Sequence, residues 1–576
     1  MRKWWIAVMC SIILVGAALV LTGCGDADTR ATLDISVIGW GPDEDGTVDF
    51  QSDLPEFEGA DTVRVRLTHP PTDRVLAEET VEADAGGAEM PELDRGEYRR
   101  LEFDVLDADE EVIASGATPM FDFGEESSSQ QFRIQVDRVE SFAPVGSRIT
   151  EDGESQWSQS RLDSRATEGD TWLGRVGHVT VPYDRDGKTL TVGGGWRNAT
   201  SMGDPAATPV LEVVHDDLME FDPSTGYFTD LSYDEASGEP REGGADRLEE
   251  ARAYHTVTPI GDDRFLVVGG LTAGSNDEEP SAVASIELID MGASPGERVK
   301  PFPESADSPA TLDEARALHT ATYRPEDGTV VVAGGIGEDG ESVLDSTEII
   351  DLDSGEVETG PSLSDARADH EAVLLDNEDE TVWFIGGRND SEALFSTAKM
   401  VADGQDTITE EADLNTERFG FTALTMGPSE DLQVLVIGGF TDLDGTVADD
   451  YEIGALNRRS FFRDSSSRLE SPRARASALE LPNDDVLVLG GWDDEHEQQE
   501  TFEVLEHVGF GGGEVTGDND AYQARLVEES TYNGRADFTA TAMANKKILL
   551  VGGIGEFRDS QTFLDSAEYF TPTFEE

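Results

Sequence analysis

The chain has 576 residues with 122 acidic against 41 basic side chains, a formal net charge of −81. Phosphate binding needs a basic face, so this balance argues against nucleic acid as a partner; charge of this size serves solvation and opposes self-association, as in a monomer adapted to saline, halophilic conditions. A polyanionic surface that collects cations is the alternative reading.

The N-terminal stretch MRKWWIAVMCSIILVGAALVLTGCG has Arg2 and Lys3, an apolar core and small residues before a cysteine, the layout of a secretory signal over residues 1–23. Leu21–Cys24 (LTGC) resembles the bacterial lipobox. The resemblance implies lipidation of Cys24, a tether over 24–32 and a bacterial envelope location. By the same analogy, Gly25 lacks the aspartate that retains lipoproteins at the inner membrane, which points to the outer membrane or cell surface. An uncleaved transmembrane anchor is the rival, since the apolar run is about long enough to span a bilayer. Removing Arg2 and Lys3 takes the charge from −81 to −83. Only Cys10 and Cys24 are cysteines, so the mature chain has no thiol for catalysis, disulfides or metal.

Residues 33–139 carry seven alternating runs, among them LDISVIGW, TVRVRLT, YRRLEFDVLD and QQFRIQVDRV, separated by turn signals. This spacing predicts a small β-sandwich, loosely similar to immunoglobulin-like or transthyretin-like modules, acting as a spacer. Residues 140–172 are polar and aperiodic and read as a linker.

From residue 173 to 576 one pattern recurs seven times. Apolar runs ending in Gly-Gly close at Gly194, Gly270, Gly335, Gly387, Gly439, Gly491 and Gly553, the third to sixth spaced by 52 residues. Seventeen to twenty residues before the first glycine of each pair stands an arginine: Arg175, Arg252, Arg316, Arg367, Arg418, Arg473 and Arg535. A second alternating run follows each pair, with Glu287, Glu348 and Glu568 in register. Four short strands per copy is the reading, the uninterrupted apolar run being covered on both faces.

In these features residues 155–576 resemble the kelch-repeat β-propellers. The resemblance implies an all-β fold of seven four-stranded blades around a channel. The family's aromatic pair, about six residues apart, is matched by Phe221 and Tyr227, whereas later copies carry Ile, Leu or Val. Copy seven stops after its third strand, leaving an edge to be closed from elsewhere. The segment 154–162, with Trp157, is the expected donor.

The seven arginines are the recurring polar feature, with two readings: partners of third-strand carboxylates, or a guanidinium cluster at the channel mouth binding a carboxylate or other anion. His178, His255, His319 and His370 follow three residues after the first four arginines and read as packing residues rather than a metal cluster. Asp442–Asp450 and Gly517–Tyr522 hold oxygens at spacings calcium uses, without the EF-hand pattern, so calcium stays an open alternative to no cofactor. No nucleophile motif or phosphate loop is visible, and a copper-radical oxidase is excluded because it needs a cysteine cross-linked to tyrosine. The chain therefore reads as a lipid-anchored, non-catalytic module binding a protein or glycan. Its rivals are a carbohydrate-active enzyme, such as the sugar-acid epimerases on this architecture, and a purely structural envelope protein.

Overall fold

The structure, a computed structural model, describes residues 59–572 apart from intervening segments, the longest being 157–173, 197–210, 233–245 and 508–521. Before residue 59 it describes the strands at 10–11, 19–22, 32–42 and 48–51. Cys24 and Trp157 lie outside the described residues. The fold is all-β, and among the described residues no helix is long and apolar enough to cross a membrane.

Seven antiparallel four-stranded sheets organise the chain from residue 179 onward. Sheets one to six take their strands in sequence order from residues 179–230, 256–301, 320–359, 371–410, 422–462 and 477–527. Sheet seven is built on residues 539–571. Strand two of each sheet is buried from its second residue on at the latest, and in sheets four, six and seven it is wholly apolar, as at Val382–Ile385 and Ile548–Val551, because neighbouring sheets cover both its faces. The first strand of each sheet packs against the first strand of the next, and that of sheet seven against that of sheet one. Thr539 donates to Thr180 across the last of these contacts at 2.8 Å. The core therefore lies between sheets: Leu190, Val192, Val257, Phe265 and Val267, for example, join sheets one and two. Each such fully buried side chain contributes about 1.5–3 kcal/mol.

Sheet seven is completed from upstream, but not by the segment expected. Ser141–Pro144 pairs antiparallel with Ala567–Thr571, whereas Ser155–Gln156 pairs with Arg148–Ile149. The physical reason is apolar content and reach. Phe142 packs on Phe502 and Phe570 with ring centroids 5.5 and 5.0 Å away, and Val145 is buried behind it. The polar SQWSQSRL run has no such alternation. The start of the expected linker 140–172 is thus part of the sheet.

Upstream, Thr62–His69 lies between Arg74–Glu82 and Gly96–Leu106, and Val112–Ala117 follows. Ser129–Arg138 meets Val112–Ala117 antiparallel at its end and runs parallel to Thr32–Pro42 over most of its length. Val63, Val65, Leu67, Phe103, Val105, Ile134 and Val136 are buried in this module. A two-residue turn at 139–140 leads directly into the closing strand of sheet seven.

Candidate functional site

The repeat arginines are not exposed at a mouth. Arg175, Arg252, Arg316, Arg367, Arg418, Arg473 and Arg535 are all 0–1 % exposed. Each donates from Nη1 to the carbonyl of the first glycine of its own pair at 2.7–3.0 Å. Six also meet a buried carboxylate: Asp217, just before strand three of sheet one, and the strand-three residues Glu287, Glu348, Glu452, Glu503 and Glu568. Glu287, Glu348, Glu452 and Glu503 in turn accept backbone N–H groups from the loop before the arginine, as Glu503 does from Glu470 and Ser471 at 2.8 and 3.0 Å. Arginine and glutamate together clamp the loop, the glycine turn and strand three. The anion-binding expectation for these seven residues is corrected on this ground: their guanidiniums are buried within the sheets, out of a ligand's reach. In sheet four the position in register with Glu348 is Ala398, and burial brings the Arg367 pKa down to about 10, with Asp365 opposing.

The four histidines lean on the preceding sheet. Nε2 of His319 and His370 lies 3.2 and 3.0 Å from Thr256 and Thr320, and that of His178 lies 3.0 Å from the Val551 carbonyl. A methyl group at Gly269 would sit 2.7 Å from His319 Cε1, and Phe538 presses on Gly490 in the same way. Glycine at this position leaves room for the next sheet. Burial, with the neighbouring arginine adding, lowers the His178 and His319 pKa values to about 3, so these rings are neutral wedges. Among the described residues, no group of three or more His, Cys, Asp or Glu could hold a metal ion. Asp442 instead caps its own loop through Thr446. Residues 517–521 lie outside the described residues.

The informative position is two residues after each arginine. Gly177, Tyr254, Leu318, Asp369, Gly420, Arg475 and Asp537 all have φ between +49° and +60°. Successive members are hydrogen-bonded backbone to backbone: Tyr254 N to Gly177 O, Leu318 N to Tyr254 O, Asp369 N to Leu318 O, Gly420 N to Asp369 O, Arg475 N to Gly420 O and Asp537 N to Arg475 O, at 2.7–3.3 Å. The result is a belt linking the seven sheets in order, in a backbone region that costs a non-glycine residue roughly 1–3 kcal/mol.

The belt's two glycines are filled by their neighbours. Tyr254 lies over Gly177, where a methyl would come within 2.8 Å of the ring, and Arg475 crosses Gly420, where a methyl would stand 3.3 Å from its Cγ. Arg475 thereby reaches Asp369 at 3.0 Å on one side and Asp537 at 3.3 Å on the other. Two side chains that follow glycine pairs complete the group. Arg388 donates from Nε to Asp369 at 3.3 Å, and Trp492 donates from Nε1 to Asp537 at 3.1 Å. Arg388 is 5 % exposed, its Nη2 has no hydrogen-bond partner among the described residues, and its guanidinium lies 6.0 Å from the Phe419 ring centroid. Asp369 and Arg388 side chains are 6 % exposed, Asp537 12 % and Arg475 16 %.

Electrostatically the group is balanced, with two guanidiniums against two carboxylates. Burial works against the charge on Arg475, but Asp369 and Asp537 outweigh it and raise its pKa. Burial raises the Asp537 pKa against the opposing pull of Arg475. Two residues beyond Asp369, Glu371 is half-buried; desolvation, with the Asp369 charge adding, pushes its pKa up to about 8. At neutral pH it is therefore mainly protonated. The sequence reading passed over these residues. Their signal was a position varying between Gly, Tyr, Leu, Asp and Arg inside an otherwise uniform repeat.

No family model matches the chain, and neither does any curated protein. Among solved structures, the one titled "Structure of YjhT" aligns at 12 % identity over 62 % of this chain and 99 % of that one, with a TM-score of 0.39.

Proposed function

We propose that the seven sheets are the blades of a kelch-type propeller and that the belt rims the mouth of its channel, where a ligand binds. Supporting this are the seven-fold sequence pattern, the packing of each first strand on the next, and the belt's passage from sheet to sheet in order. The protein is a lipid-anchored, non-catalytic binding module, held in a bacterial envelope through Cys24. Its ligand is a glycan, and one without net charge.

The observation carrying that choice is the Arg475–Asp369–Asp537 group: its guanidinium is already neutralised, so it offers fixed donors and acceptors rather than a net positive site. Sugar hydroxyls both donate and accept, and Tyr254 supplies an apolar ring beside them. A carboxylate ligand would have to displace Asp369 or Asp537 and enter against the field of a chain carrying −81 charges.

Glycan-array screening of the soluble chain from residue 25 tests this. Binding to neutral glycans is expected, and its loss in Arg388→Ala and Tyr254→Ala with a smaller fall in melting temperature than Arg473→Gln causes. Exclusive capture of uronates or sialosides, or retention of binding in both variants, would overturn it. One observation favours an enzyme as the second reading: Glu371, two residues from Asp369, is a carboxyl held protonated at neutral pH, the state a general acid needs. Turnover of a bound sugar that disappears in Glu371→Gln would replace the first reading by the second.

A further inference from the structure

The chain has six lysines, and two of them, Lys546 and Lys547, stand side by side in the turn of sheet seven. Both are committed to the N-terminal module. Lys547 pairs with Asp137, with 2 % and 1 % of their side chains exposed, and also donates to Thr571 at 3.2 Å. Gln135 donates to the same aspartate at 3.0 Å. Lys546 meets Glu102 at 2.9 Å, where Arg66 and Arg100 also converge at 3.2 and 3.0 Å. Arg100 donates to the Ala544 carbonyl at 3.1 Å, and Arg525 of sheet six pairs with Glu140 at 2.9 Å. A contact so dense in buried, oppositely charged groups has one low-energy arrangement, because any slippage leaves a charge desolvated and unpaired.

The place of the contact matters as much as its strength. In sheet seven the belt residue Asp537 precedes strand one and Gly552-Gly553 follows strand two, so both stand at one end of the sheet. The 543–547 turn joins the two strands at the other end. The N-terminal module sits on that other end.

We infer that the N-terminal module is a fixed base locked to the turn end of sheet seven by Lys546 and Lys547, and that it holds the belt facing away from the lipid anchor. This orientation rests on the reading of Cys24 as the anchor and of the belt as the binding mouth; the lock does not. A spacer on a flexible linker would let the mouth sweep towards and away from the membrane, whereas a docked base presents it outward at all times.

Two measurements separate the parts. In the soluble chain from residue 25, spin labels at the turn position Asp109 of the module and at Asp484 of sheet six should give one narrow distance distribution by pulsed electron resonance. Lys546→Glu with Lys547→Met should broaden it at least two-fold. A broad distribution in the unaltered chain, or no change in the double variant, would overturn the lock. If the double variant fails to fold, the distribution of the unaltered chain alone decides. For orientation, the lipidated protein on vesicles carries a single added cysteine at Asp484 or at Asp494, at opposite ends of sheet six and about 20 Å apart. A fluorophore at 484 should be quenched at least two-fold more by a headgroup acceptor than one at 494. Equal or reversed quenching would overturn the outward mouth, while absence of protein from the vesicles would reject the anchor and with it the orientation.

Discussion

The repeat arginines and the belt residues two positions later sit on the same turn yet follow opposite rules. Arginine recurs seven times, is buried seven times and spends its donors on its own glycine turn. The belt position shares a backbone conformation and a hydrogen-bond pattern but changes its side chain from sheet to sheet. What is uniform in a repeat serves the contact each sheet must make; what varies at a fixed backbone position is free to serve something made once. The comparison teaches that a recurring charged residue marks scaffold and that the irregular neighbour marks the site.

The sharpest way to break this comparison is to remove a guanidinium from each class within one sheet. Arg473→Gln leaves Glu503 buried beside Gly490 and Thr501 carbonyls that lose their donor, and should cost about 3–5 kcal/mol. Arg475→Gln leaves Asp369 with Arg388 and Asp537 with Trp492, and should cost less than half of that while weakening glycan binding. Denaturant melts of the two variants decide; equal losses would erase the distinction between scaffold and site. Within the scaffold itself, Arg367→Gln should cost about 2 kcal/mol less than Arg473→Gln, because sheet four has Ala398 where sheet six places Glu503, the carboxylate that would be stranded. A loss as large as that of Arg473→Gln would show that the glycine carbonyl, not the carboxylate, dominates the clamp.

Gly420→Ala tests the belt from the other side. The substitution meets φ +57° and places a methyl 3.3 Å from Arg475 Cγ, so it should cost about 1 kcal/mol and push the guanidinium off Asp369. Calorimetric stability measured with glycan affinity should therefore show a small loss in the first and a large one in the second. Unchanged affinity would place the ligand away from the belt.

How much of this was legible in the sequence follows from the range of each interaction. The Arg and Gly-Gly spacing was readable because the clamp is made within one copy, and Glu287, Glu348 and Glu568 were seen in register because strands two and three are neighbours. The closing strand was misplaced because its partner lies more than four hundred residues away, and nothing local in Ser141–Pro144 announces Phe570. The parallel pairing of Ser129–Arg138 with Thr32–Pro42 was hidden for the same reason. Asp369, Arg475 and Asp537 were missed because positive φ leaves no single residue type as its signature once the backbone belt holds it.

Glu371 gives the smallest effect and the most specific one. Its pKa in the folded chain is pushed up to about 8 from an ordinary 4.5, by desolvation first and by the Asp369 charge second. A carboxyl raised in this way favours the folded state fully below its ordinary value. That contribution is lost as the pH climbs from 4.5 through 8, because the unfolded chain releases the proton more readily than the folded one. Glu371→Gln has no proton to lose. Its melting temperature should match the unaltered protein near pH 4.5 and exceed it above pH 8. The group is half-buried and solvent screens part of the penalty, so the gain should be about 1–2 °C. Differential scanning at pH 4.5, 7 and 9 reads it, and the titration of the other acids cancels in the difference between the two proteins. A constant offset across the range would mean that Glu371 is ionised in the folded state, and its role as a general acid would fall with it.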